Sequence, residues 1–244
     1  MSYRIGFDMD GVLADFSAAF HAVESRLFPD VSELPGGEPE AEAAAQDEAS
    51  DSQVQPAANP HETRRRREAI WAEIRRTPNF WTTIGPTQSG AVRRLHALML
   101  RHRWEVFFIT QRPATDGDTV QRQTQHWLVE QGFDLPSVLV IAGSRGAAAG
   151  ALRLDYHVDD SPQNCLDVMA AASAKAILVS SGADQKAETA RKLGMAIVPS
   201  IDVFNLTNND TIQAVRGNQN ASNANNIQAI VAPRIVRFGV RVNW

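Results

Sequence analysis

The sequence predicts an α/β protein built on a doubly wound, mostly parallel sheet. Three observations carry this reading. From residue 88 onward, short apolar runs alternate with helical segments of about ten to fifteen residues. One run, Glu105–Thr110 (EVFFIT), is apolar almost throughout, as expected for a strand buried on both faces. Several runs also end in residues with chemistry to offer, namely Asp8, Thr110 and the pair Asp159 and Asp160. In open α/β sheets, ligands bind outside the carboxyl ends of the strands.

The first strand is expected at 3–7, a short apolar run that ends in acids. A helix is expected over 12–28, where Val12, Phe16, Ala19, Phe20, Val23 and Leu27 recur at helical spacing. Pro29 and Asp30 stop it. Residues 33–60 differ in kind, with seven acids, no Lys or Arg and almost no large apolar side chain. Such a stretch cannot bury enough apolar surface to offset its ordering entropy, so a flexible acidic insert is expected. A second helix is expected over 62–76, with Ile70 and Ile74 on one face and Pro78 as its breaker. The arginines 64–67 either neutralise the acidic insert or face an anionic ligand.

The regular part reads as helix 89–102, strand Glu105–Thr110, helix 117–131 stopped by Gly132, and strand 138–141. Strand 156–158 follows, then helix 162–172, strand 176–179, helix 184–193 and strand 195–198. The tail breaks this rhythm. Seven asparagines fall between Asn208 and Asn226, and the last stretch alternates through Val236, Phe238, Val240 and Val242. It reads as an edge strand, an oligomer contact or an extension.

Composition narrows the function. The chain of 244 residues has a net charge of -4, which gives no support to general nucleic-acid binding. One cysteine, Cys165, excludes an internal disulfide framework and a cysteine-rich zinc site. Arg4, Asp8 and Asp10 stand where a secretory segment would be apolar, and no apolar run approaches 18 residues. A cytoplasmic protein without membrane or polymeric nucleic-acid partners is therefore expected.

If the sheet forms as read, Asp8, Thr110, Arg145, Asp159 and Asp160 converge on one edge. Carboxylates gathered this closely repel one another unless a cation sits among them. All-oxygen donors suit Mg²⁺. Thr110 and Arg145 are apt groups for phosphate oxygens. His157 and Cys165 read as buried packing residues.

The stretch 7–16, FDMDGVLADF, resembles the first motif of the haloacid dehalogenase superfamily. Thr110 after FFI resembles the second motif. Arg145, in Ser144-Arg145-Gly146, stands where the superfamily usually has a phosphate-binding Lys, with Arg153 as a second candidate. The stretch 157–164, HVDDSPQN, resembles the fourth motif. Asp15-Phe16 and the segment around Phe80-Trp81 are similar to the 5'(3')-deoxyribonucleotidase family within that superfamily.

The resemblance implies a core over 1–14 and 86–205, a small helical cap over 15–85 and an extension over 206–244. It implies a Mg²⁺-dependent phosphomonoesterase acting on (deoxy)nucleoside monophosphates, or alternatively on a sugar phosphate or other small metabolite. A non-catalytic module of the same fold is the third possibility. Asp8 would be the nucleophile and form an aspartyl-phosphate, with Asp10 as acid and then base. Mg²⁺ would be held by Asp8, the Asp10 carbonyl and Asp159, with Asp160 supporting its water shell. Thr110 and Arg145 would bind the phosphoryl group. Arg112 would either contact substrate, cap the following helix or pair with Asp116, and Phe16 and Trp81 would either stack a base or pack the cap. A homo-oligomer is compatible with all of this.

Overall fold

The structure is a computed structural model. It describes residues 2–29 and 60–180, the helical positions 188 and 192, and three short strands beyond them, 196–198, 212–215 and 227–230. Almost all of the acidic insert, most of helix 184–193 and the alternating stretch 236–242 lie outside the described residues.

Six strands form one sheet in which every pairing is parallel. They are β1 (Arg4–Phe7), β2 (Glu105–Thr110), β3 (Ser137–Val140), β4 (Tyr156–Asp159), β5 (Lys175–Val179) and β6 (Ala196–Val198). Their order is β3-β2-β1-β4-β5-β6, so β1 is central and the winding reverses between β1 and β4. A crevice opens outside the carboxyl ends of the strands at such a reversal. The register sets Phe7 opposite Phe108 on one side and Val158 on the other. The Asp8 N–H extends this ladder by donating to the Val158 carbonyl at 2.8 Å. Asp8 therefore leaves the sheet at its centre.

The helices are α1 (Phe16–Leu27), α2 (Pro60–Arg76), α3 (Ala91–His102), α4 (Val120–Glu130), α5 (Arg145–Ala151) and α6 (Pro162–Ala171). Helix α1 starts four residues later than the periodicity predicts. Leu13 and Ala14 donate their N–H groups to the Met9 carbonyl at 2.9 and 2.8 Å, closing a turn that the apolar Val12 belongs to. Asp15 then caps the helix, accepting from the Ala18 N–H at 3.0 Å. Pro60 belongs to α2 and not to the acidic insert, in keeping with the tolerance of a first helical turn for proline. Helix α4 is capped by Thr119, and Gly132, at φ +93°, follows its end. Helix α5 was not anticipated: RGAAAGA is short and has no apolar period.

Helices α1 and α2 come between β1 and α3 in the chain. They pack through aromatic rings, with Phe16 stacked on Trp71 at 5.4 Å and Phe20 edge-on to Trp71 at 5.8 Å. Glu24 of α1 is buried and accepts from Arg66 of α2 at 2.9 Å. Arg64 pairs with Glu68 at 2.8 Å. Two members of the arginine run thus have partners on the helices themselves. The chain enters and leaves this segment side by side: the Asp15 N–H donates to Gly85 at 2.8 Å and the Thr87 N–H to Leu13 at 2.9 Å. Phe16, Phe20, Ile70, Trp71, Ile74 and Trp81 join the same apolar core as Ile5, Phe7 and Phe108 of the sheet.

In the tail, Ile212–Val215 and Ile227–Ile230 form a separate antiparallel pair, β7 and β8. No helix among the described residues is long and apolar enough to cross a membrane.

Candidate active site

The site is built on the ends of β1, β2 and β4 and the start of α5. Asp8 is 5% exposed. Its Oδ1 accepts from Arg145 Nη2 at 2.8 Å. The same guanidinium lies 3.8 Å, through Nε, from Asp159 Oδ2. Arg145 is 2% exposed, so this is a buried cation set between two carboxylates from neighbouring strands. A buried charge of this kind is tolerated only when paired. Arg153 is exposed, at φ +50° in the turn after α5. Arg145 is thus the arginine at the strand edge. Thr110 is buried at the end of β2, beside β1.

The short helix α5 explains how Arg145 is aimed. Ser144 caps it through its hydroxyl, which accepts from the Ala147 N–H at 2.9 Å. That hydroxyl donates to Asp167 Oδ2 of α6 at 2.7 Å, and the Gly146 N–H donates to the same oxygen at 2.8 Å. These bonds, Gly146 first and Ser144 second, hold the Asp167 carboxyl below its ordinary range.

Asp159 is fully buried and engaged by protein groups. Its Oδ1 accepts from the Ser161 N–H at 2.9 Å and from Asn164 Nδ2 at 3.3 Å. Its Oδ2 is 3.0 Å from His157 Nε2. His157 is wholly buried, as expected for a packing residue, and also orients Asp159. Asp160 is less buried and faces the loop after β1: a Cβ on Gly11 would run into its carboxylate. Gly11 holds φ +74°, where a side chain is strained, and its N–H donates to Ala14 at 2.9 Å. That N–H is therefore taken by the turn.

Asp10 and Arg112 make the shortest side-chain contact described in the site. Arg112 Nη2 donates to Asp10 Oδ1 at 2.6 Å and Nε to Oδ2 at 2.9 Å, a two-pronged pair. The third nitrogen, Nη1, donates to Thr124 Oγ1 at 3.1 Å, and the guanidinium lies 4.7 Å over the Trp81 ring. This corrects the capping and Asp116 readings of Arg112. The α4 cap is Thr119, and the Asp116 backbone bonds with Arg75 and Asn79. Trp81 is held by bonds from its Nε1 to Pro113 at 2.9 Å and from its N–H to Gln123 Oε1 at 3.1 Å. Trp81 is 0% and Phe16 2% exposed, and their rings lie 5.6 Å apart. Both are packed inside.

Sequence reasoning missed Asp167, Gln123 and Thr124. Their only sequence trace is a polar residue on an amphipathic helix, which ordinarily means solvent. Cys165 is buried behind the site; burial pushes its thiol up, and the charges of Asp159, Asp160 and Asp8 add to this.

The donors at this edge are carboxylate and carbonyl oxygens, the type a hard divalent cation takes. Asp160 sits in the notch over Gly11, which lies in the loop that follows Asp8, so the residues fit Mg²⁺ in type. In this structure the carboxylates close on arginines: among the described residues no group of three or more His, Cys, Asp or Glu is disposed to hold a metal.

No protein-family model matches the sequence, and no curated protein matches it. Solved structures do. A Thermotoga maritima protein assigned by name as a beta-phosphoglucomutase superposes with a TM-score of 0.51 at 18% identity, covering 84% of this chain and 97% of its own. A haloacid dehalogenase-like family hydrolase from Streptococcus pneumoniae gives 0.45 at 13% identity, covering 77% and 90%. CbbY from Rhodobacter sphaeroides, solved with phosphate, gives 0.46 at 15%, covering 82% and 95%. Taken with strand order, the first of these fixes the architecture: the chain shares the doubly wound, parallel α/β fold of that protein.

Proposed function

We propose that the protein is a Mg²⁺-dependent phosphomonoesterase that works through an aspartyl-phosphate. The observation that carries this is Asp8, delivered by the central strand to the switch point and paired there with the buried Arg145. In this reading an Asp8 oxygen attacks phosphorus and the P–O bond to the ester oxygen breaks. Asp10 gives the departing alkoxide a proton. Water then attacks the aspartyl-phosphate, gives a proton back to Asp10, and releases phosphate and free Asp8. Arg145 and Thr110 stabilise charge on the transferring phosphoryl oxygens. Asp8, the Asp10 carbonyl and Asp160 would hold Mg²⁺; Asp160 takes the place expected for Asp159, whose oxygens are engaged by His157, Ser161 and Asn164. When bound, the ion supplies charge neutralisation on the phosphoryl group. Residues 15–85 act as a cap over the core, 1–14 and 86–205.

A sugar phosphate or similar small metabolite is the favoured substrate class. The fold relative with the higher TM-score bears a sugar-phosphate enzyme's name. The rings that would stack a base, Phe16 and Trp81, are buried in packing. A nucleoside monophosphate is the second reading, supported by the resemblance at Asp15-Phe16.

The test is phosphate release from a panel of sugar phosphates and nucleoside monophosphates, with Mg²⁺ and with EDTA, beside Asp8→Asn. Turnover should need the metal and fall by about 10³-fold or more in the variant. Unchanged turnover in Asp8→Asn would end the mechanism.

A further inference from the structure

The geometry points to Arg112 as the binding site for a second anionic group on the substrate, a carboxylate or a further phosphate. This rests on the phosphomonoesterase reading and names its substrate class. Both Asp10 oxygens accept from Arg112, at 2.6 and 2.9 Å, so the carboxylate is committed to the guanidinium and not to a reacting ester. For Asp10 to serve a leaving group it must let go. The Arg112 side chain is 0% exposed, whereas that of Asp10 is 12% exposed, so Asp10 is the member that can turn outward.

Its departure would leave a permanently charged guanidinium buried without its counter-ion, which is strongly unfavourable. Trp81 at 4.7 Å and Thr124 at 3.1 Å hold one face and one nitrogen of Arg112, so it cannot simply follow Asp10. The remaining fork, Nε and Nη2, is shaped for a planar or tetrahedral oxyanion. An anionic group on the substrate, entering as Asp10 swings away, keeps the charge compensated and frees Asp10 together. A singly anionic ester offers no such exchange. Asp10 then stays on Arg112 for most of the time, and the ester turns over slowly.

The experiment uses the full chain with Mg²⁺ and two matched pairs of esters. Glycerol 3-phosphate against 3-phosphoglycerate adds a carboxylate; fructose 6-phosphate against fructose 1,6-bisphosphate adds a phosphate. The doubly anionic member of at least one pair should be favoured by about 10²-fold in kcat/KM, and the pair that shows it identifies the group. In Arg112→Met that ratio should fall to within about threefold of one. Should Arg112→Met not fold, Arg112→Lys, which keeps the charge and loses the fork, should retain the direction of preference and lose most of its size. Ratios near one for both pairs in the wild type overturn the proposal and leave the phosphomonoesterase reading standing. So does a ratio that Arg112→Met, or Arg112→Lys in its place, leaves unchanged. Failure of the wild type to hydrolyse any ester, singly or doubly anionic, overturns that reading and this proposal with it.

Discussion

Asp167 holds Gly146: one carboxylate oxygen on α6 accepts the Gly146 N–H at 2.8 Å, and the Ser144 hydroxyl at 2.7 Å, on either side of Arg145. These bonds lower the Asp167 carboxyl in the folded chain. A carboxyl lowered on folding contributes stability that is complete above its unfolded value, about 3.9, and is lost as pH falls through the lower folded value. Asp167→Asn removes this contribution. Thermal melts between pH 6 and pH 3 should show a smaller acid-side loss in the variant than in the wild type. Parallel curves would mean that the bonds carry no pH-linked stability.

Arg145 sits between Asp8 and Asp159 with almost no exposure. Arg145→Met leaves buried carboxylates without that cation and should cost about 3–5 kcal/mol, read from urea unfolding. Its turnover should fall by about 10²- to 10³-fold, as expected when one donor to a developing oxyanion is removed. Arg145→Lys should recover a good part of both losses. No recovery would show that the fork, rather than the charge, is what the site needs.

Gly11→Ala should cost about 1–2 kcal/mol from the positive φ alone. Its Cβ would also displace the Asp160 carboxylate. The Mg²⁺ concentration giving half-maximal activity should therefore rise, as seen in a metal titration. A titration identical to the wild type's would separate Asp160 from metal binding.

Cys165 is buried and its thiol is pushed up by that burial. At pH 8 the folded protein should resist a thiol reagent such as a disulfide dye, and release one equivalent per chain once unfolded in urea. Fast labelling of the folded protein would contradict the packing around α6.

The strand skeleton was legible because burial on both faces leaves a mark in composition. Phe107, Phe108 and Ile109 form a continuous apolar run because β2 lies inside the sheet. Asp8 and Asp159 were legible because each follows such a run. The Asp10–Arg112 pair was not, because 102 residues separate its members and no local rule joins them. Helix α5 left no trace because Ala and Gly fill it, so there is no apolar face to count. Val12 misled because a buried turn and a buried helix face both call for an apolar side chain. Phe16 and Trp81 were ambiguous for the same reason: ring chemistry serves a core and a ligand alike.

The central place of β1 also bears on how the chain is made. Its neighbours pair with it through Glu105 and Tyr156, so they leave the ribosome about 100 and about 150 residues after it. At usual synthesis rates that is an interval of roughly 5–30 seconds. Until β2 emerges the strand that bears Asp8 has both edges open to foreign strands, and one edge stays open until β4 follows. A nascent chain of this design has reason to engage a holdase chaperone until β4 has been translated.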